Sequence, residues 1–169
     1  MTGTTQRKDL YYLFRGRMEK MVPIGPVAEG LRMNGHFSGT VVEGEGKGGH
    51  IELVDYFRIR PDGVGVVDAR EVLTLDGQTV SVDVHGYVLP PAGLPVPTIE
   101  EMLSPDFVWA DAPSTIECFA TFRTAAPALA HLNRVTVAHT GYVNFATGEL
   151  VVEAHRIADL ARRTRDVAA

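Results

Sequence analysis

The sequence predicts an all-β protein: an antiparallel, calycin-like β-barrel of about eight to ten strands with one or two short helices. Three observations carry that expectation. Short runs of alternating apolar and polar residues recur along the chain, and turn-forming residues separate them at hairpin spacing. Asp76-Gly77 lies between two such runs, and Asp-Gly in that setting is the strongest short-range hairpin signal. Helical periodicity is marginal, while 17 glycines and 10 prolines punctuate the chain. A closed barrel is preferred to a sandwich, because closure removes exposed edges and can surround a set of polar side chains.

Composition bounds the class. A chain of 169 residues with 45% hydrophobic and 22% charged residues suits one domain with a proper core. A net charge of −5 and a pI near 5.6 argue against nucleic acid or an anionic membrane as partner. No apolar run has the length of a membrane span, and residues 1–9 lack the layout of a signal peptide, so a cytoplasmic location is expected. Cys118, the single cysteine, can form no internal disulfide.

The elements follow in order. Residues 1–9 are polar and read as a flexible tail. The barrel domain is expected over 10–157. Leu10–Met21 carries Tyr11, Tyr12 and Phe14 and reads as a first strand; Val22–Asn34, with Pro23, Gly25, Pro26 and Gly30, reads as an irregular connection. His36–Glu43 is a second strand, Gly44–Gly49 a glycine-rich turn, and His50–Arg60 a third strand. That third strand alternates Ile51, Leu53, Asp55 and Phe57 against Glu52, Val54, Tyr56 and Arg58. Pro61-Asp62-Gly63 closes a hairpin that sets Arg60 opposite Val64, Arg58 near Val66 and Tyr56 opposite Asp68.

The hairpin from Val64 to Val88 follows. A two-residue turn at Asp76-Gly77 fixes its register: Leu75 faces Gln78, Leu73 faces Val80, Ala69 faces Val84, Arg70 faces Asp83 and Asp68 faces His85. One face is nearly all aliphatic, and the other carries Asp68, Arg70, Asp83, His85 and Tyr87.

Leu89–Pro97 is a proline-rich loop. Thr98 and Glu101 form a capping box for a helix around Ile99–Leu103. Ser104–Ser114, with Phe107 and the only tryptophan, Trp109, is a candidate lid, pocket wall or plug. Thr115–Thr124 is a strand, Ala125–Asn133 a helical turn, and Arg134–Phe145 with Glu149–Ile157 a last hairpin around Ala146-Thr147-Gly148. Residues 158–169 read as a C-terminal helix or tail.

Several of these stretches together resemble the DUF3237 (UPF0311) family of small β-barrel proteins. They are Arg60-Pro-Asp-Gly-Val64, Asp68-Ala-Arg70, Leu75-Asp-Gly77, Phe122-Arg-Thr124 and Leu132-Asn-Arg134. The resemblance runs from about Leu13 to Ile157. It implies a compact barrel and a homo-oligomer, and no defined activity.

Asp68 and His85 are the candidate catalytic pair, because a carboxylate facing an imidazole orients it and poises it for proton transfer. Tyr56 or Tyr87 would donate to a developing oxyanion, with Arg70 holding charge. Arg123 and Asn133 would bind a carboxylate or enolate oxygen inside the barrel, and Trp109 would line the pocket. The bland alternatives are a cross-strand polar ladder on a solvated face, an Arg123–Glu117 pair and a helix-capping Asn133.

A three-residue loop would set His139 opposite His155, but two histidines without a third ligand do not make a metal site. His36 and His50 receive no role. Gly44-Glu-Gly46-Lys-Gly-Gly49 matches G-x-G-x-x-G in letters only, because it leads into a strand rather than a helix. Cys118 shares a face with Ile116, Ala120 and Phe122 and reads as a buried, inert thiol. Arg162, Arg163 and Arg165 are too few to change an acidic chain's partners.

The functional expectation is a small-molecule-binding barrel acting as a cofactor-independent isomerase, cyclase or lyase on a small, partly apolar carbonyl or polyketide-like metabolite. The alternative is a non-catalytic carrier with the same cavity, and a third reading makes the polar face an oligomer interface. A two-fold homodimer is expected. Energetics alone favour packing the valine face inward. The opposed charge pairs, and cover for the aliphatic face by the 98–103 helix, the terminal segment or a partner subunit, instead predict that the polar face lines the cavity.

Overall fold

The computed structural model describes residues 10–159, so the expected N-terminal tail and most of the C-terminal segment lie outside the described residues. The chain forms β1 (Tyr12–Val27), β2 (Gly30–Gly44), β3 (His50–Asp55), β4 (Arg58–Ile59), β5 (Gly65–Leu75) and β6 (Gln78–Leu89). A short helix α1 (Ile99–Met102), β7 (Ser114–Arg123), a 3-10 segment (Pro127–Arg134), β8 (Thr136–Val143) and β9 (Glu149–Arg156) complete it. The pairing order β1-β9-β8-β7-β6-β5-β3-β2 closes on itself through β1–β2. The result is a closed eight-stranded antiparallel barrel, with β4 as an extra strand bridging β2 and β5. Closure leaves the main ladder without an open edge.

The Asp-Gly hairpin has the predicted register, with Asp68 opposite His85 and Arg70 opposite Asp83. Asp76 and Gly77 have φ of 49° and 74°, the left-handed pair that a two-residue turn needs. The Pro61-Asp62-Gly63 hairpin also holds: Arg58 pairs with Val66, and the Tyr56 amide donates to the Asp68 carbonyl. Thr98 and Glu101 form the capping box of α1 in both directions.

Three expectations need correction. Val22–Asn34 is not an irregular connection, since Val22 pairs with Asn34 and Val27 with Gly30 in a long ribbon. Bulges between Met18 and Lys20 and between Pro23 and Gly25 absorb the proline kinks, which paired strands tolerate at irregular sites. The third strand breaks after Asp55 into β3 and β4. His139 does not face His155: it pairs with Ala154, and His155 pairs with Ala138. The last loop holds one residue more than assumed, because the Asn144 side chain accepts from the Ala146 and Thr147 amides and the Asn144 backbone pairs with Glu149.

The largest correction concerns which face turns inward. Val67, Ala69, Val80, Val82 and Val84 are buried in the core, whereas Asp68, Arg70, His85 and Tyr87 lie on the outside of the barrel. Each buried aliphatic side chain gains about 1.5–3 kcal/mol, and opposed charge pairs do not repay the several kcal/mol needed to desolvate each ion. The helix α1 packs Ile99 and Met102 against the edge of the core but buries none of its residues fully, and the aliphatic face is covered by the barrel's own closure.

The barrel's two ends differ. The 3-10 segment closes one, where Leu132 is buried and the His131 imidazole lies 3.0 Å from the Glu45 carboxylate. The loops between β6 and β7 lie over the other, where Trp109 packs against Phe145 with ring centroids 4.9 Å apart.

Candidate functional site

Inward-facing positions along the strands are apolar with a few exceptions, and those exceptions meet. On β3 the inward series is Ile51, Leu53, Asp55, and on β5 it is Val67, Ala69, Glu71, Leu73. Asp55 pairs with Ala69, so Glu71, two residues along β5 on the same face, is its diagonal neighbour. On β8 His139 points inward between Val137 and Val143. All three ionisable side chains line a cavity of about 70 Å³ inside the barrel. Gly35, Ala69 and Cys118 also line it, and such small side chains leave room that leucines would fill.

Burial sets the protonation of these groups. Asp55 is raised from its ordinary 3.8 to about 7, first by desolvation, although the Asp68 amide donates to its Oδ1 at 3.0 Å. Glu71 is raised to about 8 by desolvation and by the Asp55 charge. Two carboxyls in one dry space cannot both ionise cheaply. Near neutral pH Glu71 is therefore mainly a neutral acid, and Asp55 is poised between its two forms. Desolvation lowers His139 to about 4, so its imidazole is neutral. The Tyr12 hydroxyl, whose own pKa burial raises well above the ordinary value, shares a hydrogen bond of 2.5 Å with His139 Nε2. Cys118 is pushed up to about 12 by burial, an inert thiol as expected.

Next to this cavity is a second one of about 200 Å³ at the barrel mouth. Phe57, Val88 and Phe145 line both, forming the partition between them. The outer chamber is walled by the proline-rich loop and by Met102, Phe107 and Trp109. Its lining side chains are apolar apart from Ser114 and the Trp109 indole N–H.

The residues expected to form the site are brought together in part, and elsewhere. His85 Nδ1 lies 3.4 Å from Asp68 Oδ1, and Arg70 Nη1 lies 2.6 Å from the same oxygen. With Tyr56 and Tyr87 they line an open groove of about 460 Å³ on the outer face, not the lumen. Arg123 also lies outside, paired with Asp83 rather than Glu117, so its expected place inside the barrel is corrected. Asn133 is exposed as well, and its amide brackets Thr124 with two hydrogen bonds of 2.8 and 3.0 Å. A strand's outward series cannot enter a lumen that its inward series fills. Trp109 alone of the expected ligand-binding residues lines the chamber next to the lumen cavity.

The lumen carboxyls carried a signal that the opposed charge pairs masked. Asp55 shares its strand face with Ile51, Leu53 and Phe57, and Glu71 sits between Ala69 and Leu73. An acid in an otherwise apolar alternating series is a buried polar group by pattern, and such groups cluster at functional sites. His139 needed the loop register before its face could be known.

No curated protein matches the chain. Solved structures share its fold, three among them at 18% to 21% identity. A conserved protein of unknown function from Rhodopseudomonas palustris is 20% identical with a TM-score of 0.64, covering 88% of this chain and 95% of its own. A β-barrel-like protein from Acinetobacter baumannii AYE is 18% identical with a TM-score of 0.65, covering 88% and 93%. A protein of unknown function from Clostridium acetobutylicum is 21% identical with a TM-score of 0.65, covering 88% and 96%. Residues 9–157 match the family described as protein of unknown function DUF3237, and the chain belongs to that family.

Proposed function

We propose that the barrel binds a small, partly apolar carbonyl compound and moves a proton within it without a cofactor. The observation that carries this reading is the pair of raised-pKa carboxyls, Asp55 and Glu71, in an otherwise apolar lumen. The apolar body of the ligand would occupy the mouth under Trp109, with its carbonyl end past Phe57 and Phe145. Protonated Glu71 donates a hydrogen bond to the carbonyl oxygen, which favours the enolate form. Ionised Asp55, with a pKa near the working pH, takes the α-proton; the C–H electrons become the new C=C bond as charge moves to oxygen. Returning that proton at a second carbon completes an isomerisation. Neutral His139, held by Tyr12, offers a further polar contact.

The test is α-proton exchange. Cyclic ketones such as 2-tetralone are incubated with the protein in D₂O and followed by NMR. Asp55→Asn should abolish catalysed exchange and Glu71→Gln should reduce it by roughly 10²–10⁴-fold. Both substitutions mimic the neutral carboxyl, so folding is retained. Exchange that continues unchanged in Asp55→Asn overturns the assignment. A ligand held stoichiometrically and recovered without exchange makes the barrel a carrier.

A further inference from the structure

The outer groove carries positive charge that no acidic group among the described residues answers. Antiparallel pairing sets Arg32 on β2 directly opposite Arg58 on β4. Like charges opposed across a ladder repel, and the ordinary remedy is a carboxylate between them. Among the described residues neither arginine has an acidic partner within 4 Å, and the buried Arg58 Nε has no hydrogen-bond partner. The remaining charges facing the groove cancel. Asp68 is held by Arg70 at 2.6 Å, and Asp83, beside it, is shared by Arg70 and Arg123. In a chain of net charge −5, three arginines against one aspartate line this groove.

The pairing register arranges the groove in rows. One runs Arg32, Arg58, Val66, Tyr87 and Glu117 across β2, β4, β5, β6 and β7, with the acid at the end away from the arginines; the next runs Tyr56, Asp68, His85, Phe119. The second row supplies flat surface beside the cations, with the His85 and Phe119 rings 5.8 Å apart. Tyr56, Tyr87 and Phe119 are each between 41% and 48% exposed, an unusual density of open aromatic surface on one face.

We infer that this groove is a second binding site, separate from the lumen, for a planar aromatic ligand bearing an oxyanion. Arg32 and Arg58 grip the anionic head, and the aromatic body lies against Tyr87, His85 and Phe119. Two guanidinium forks on adjacent strands match a carboxylate or a phosphate, with several N–H donors converging on its oxygens. The neighbouring rings favour a flat body over an aliphatic one.

The test uses 2-naphthoate, followed by its own fluorescence and by calorimetry, with 2-naphthamide as the uncharged control and inorganic phosphate as the head alone. The naphthoate should bind at least tenfold more tightly than the amide, and binding should weaken as salt rises. Arg32→Gln and Arg58→Gln should each weaken it at least tenfold, and Arg58→Lys, which keeps the charge but loses the fork, should fall between. Glu71→Gln and Asp55→Asn should leave it unchanged. Phosphate binding as tightly as naphthoate would remove the aromatic half of the assignment. Naphthoate bound equally by the Arg32→Gln/Arg58→Gln double variant, or lost only in the lumen variants, would overturn the site. Exchange that continues unchanged in Asp55→Asn, with naphthoate binding intact, would overturn the lumen reading alone.

Discussion

At the residue scale, the informative contrast is between two polar pairs that alternate strands treat in opposite ways. Asp68 and His85 meet on the outer face, where water screens them. Tyr12 and His139 meet inside, where the Tyr12 hydroxyl answers an imidazole nitrogen that has no access to water. Both rings' polar atoms would otherwise be orphaned in the core. Tyr12→Phe removes the hydroxyl partner, leaves His139 Nε2 buried and unsatisfied, and should cost about 1–3 kcal/mol. Urea denaturation at pH 7 reads this directly. Replacing His85 with alanine, by comparison, should change stability by less than about 0.5 kcal/mol, the usual range for a surface position. Equal losses in the two variants would show that the inward pair contributes nothing beyond shape.

At the element scale, what was legible in the sequence was what turn chemistry fixes locally. The Asp76-Gly77 and Pro61-Asp62-Gly63 turns each carry their own register, so the pairings of β4, β5 and β6 were readable residue by residue. The β1–β2 ribbon was not, because Pro23, Gly25 and Pro26 give the local signature of a loop while distant pairing overrides it. The β8–β9 register depended on the Asn144 side chain bonding within its own loop, which a residue count does not reveal. The Ser104–Ser114 excursion was readable as aromatic but not as to what it covers. Trp109 lies between Phe107 and Phe145, with centroids 4.9 Å from each, so the loop walls the mouth chamber. As the only tryptophan, it should report occupancy: an apolar ketone entering the mouth is expected to quench or shift its emission. Trp109→Ala should weaken such a ligand by about tenfold, in line with loss of one aromatic wall, while leaving the barrel's unfolding midpoint nearly unchanged. Emission indifferent to a bound ketone would place the ligand elsewhere.

At the scale of the whole molecule, closure decides the inside. Once eight strands form a ring, the series containing Val80, Val82 and Val84 must fill it, and every polar residue in an inward series is desolvated with them. The fold class was therefore accessible from alternation and turns, whereas the site was not. Its members come from β3, β5 and β8, distant in sequence and each looking like a lone exception. The same closure makes global stability depend on pH with a definite sign. Asp55 and Glu71 have folded pKa values of about 7 and 8, above their ordinary 3.8 and 4.5. Below about pH 4 both states of the protein hold these protons, and the carboxyls cost nothing. As pH rises through the interval, the unfolded chain releases protons that the folded chain keeps, so stability falls until the folded carboxyls ionise near 7 and 8. His139 opposes this below its ordinary 6.5, since only the unfolded chain protonates it until about pH 4. Two carboxyls outnumber one imidazole, so the net contribution still declines with pH, most steeply between about 6.5 and 7, before the folded Asp55 ionises. Glu71→Gln should remove one carboxyl's share, leaving the variant more stable than the parent at pH 9 by several kcal/mol and nearly equal to it at pH 4. Denaturant midpoints at the two pH values give the comparison. A difference that is the same at both would mean that Glu71 is not carried protonated into the lumen.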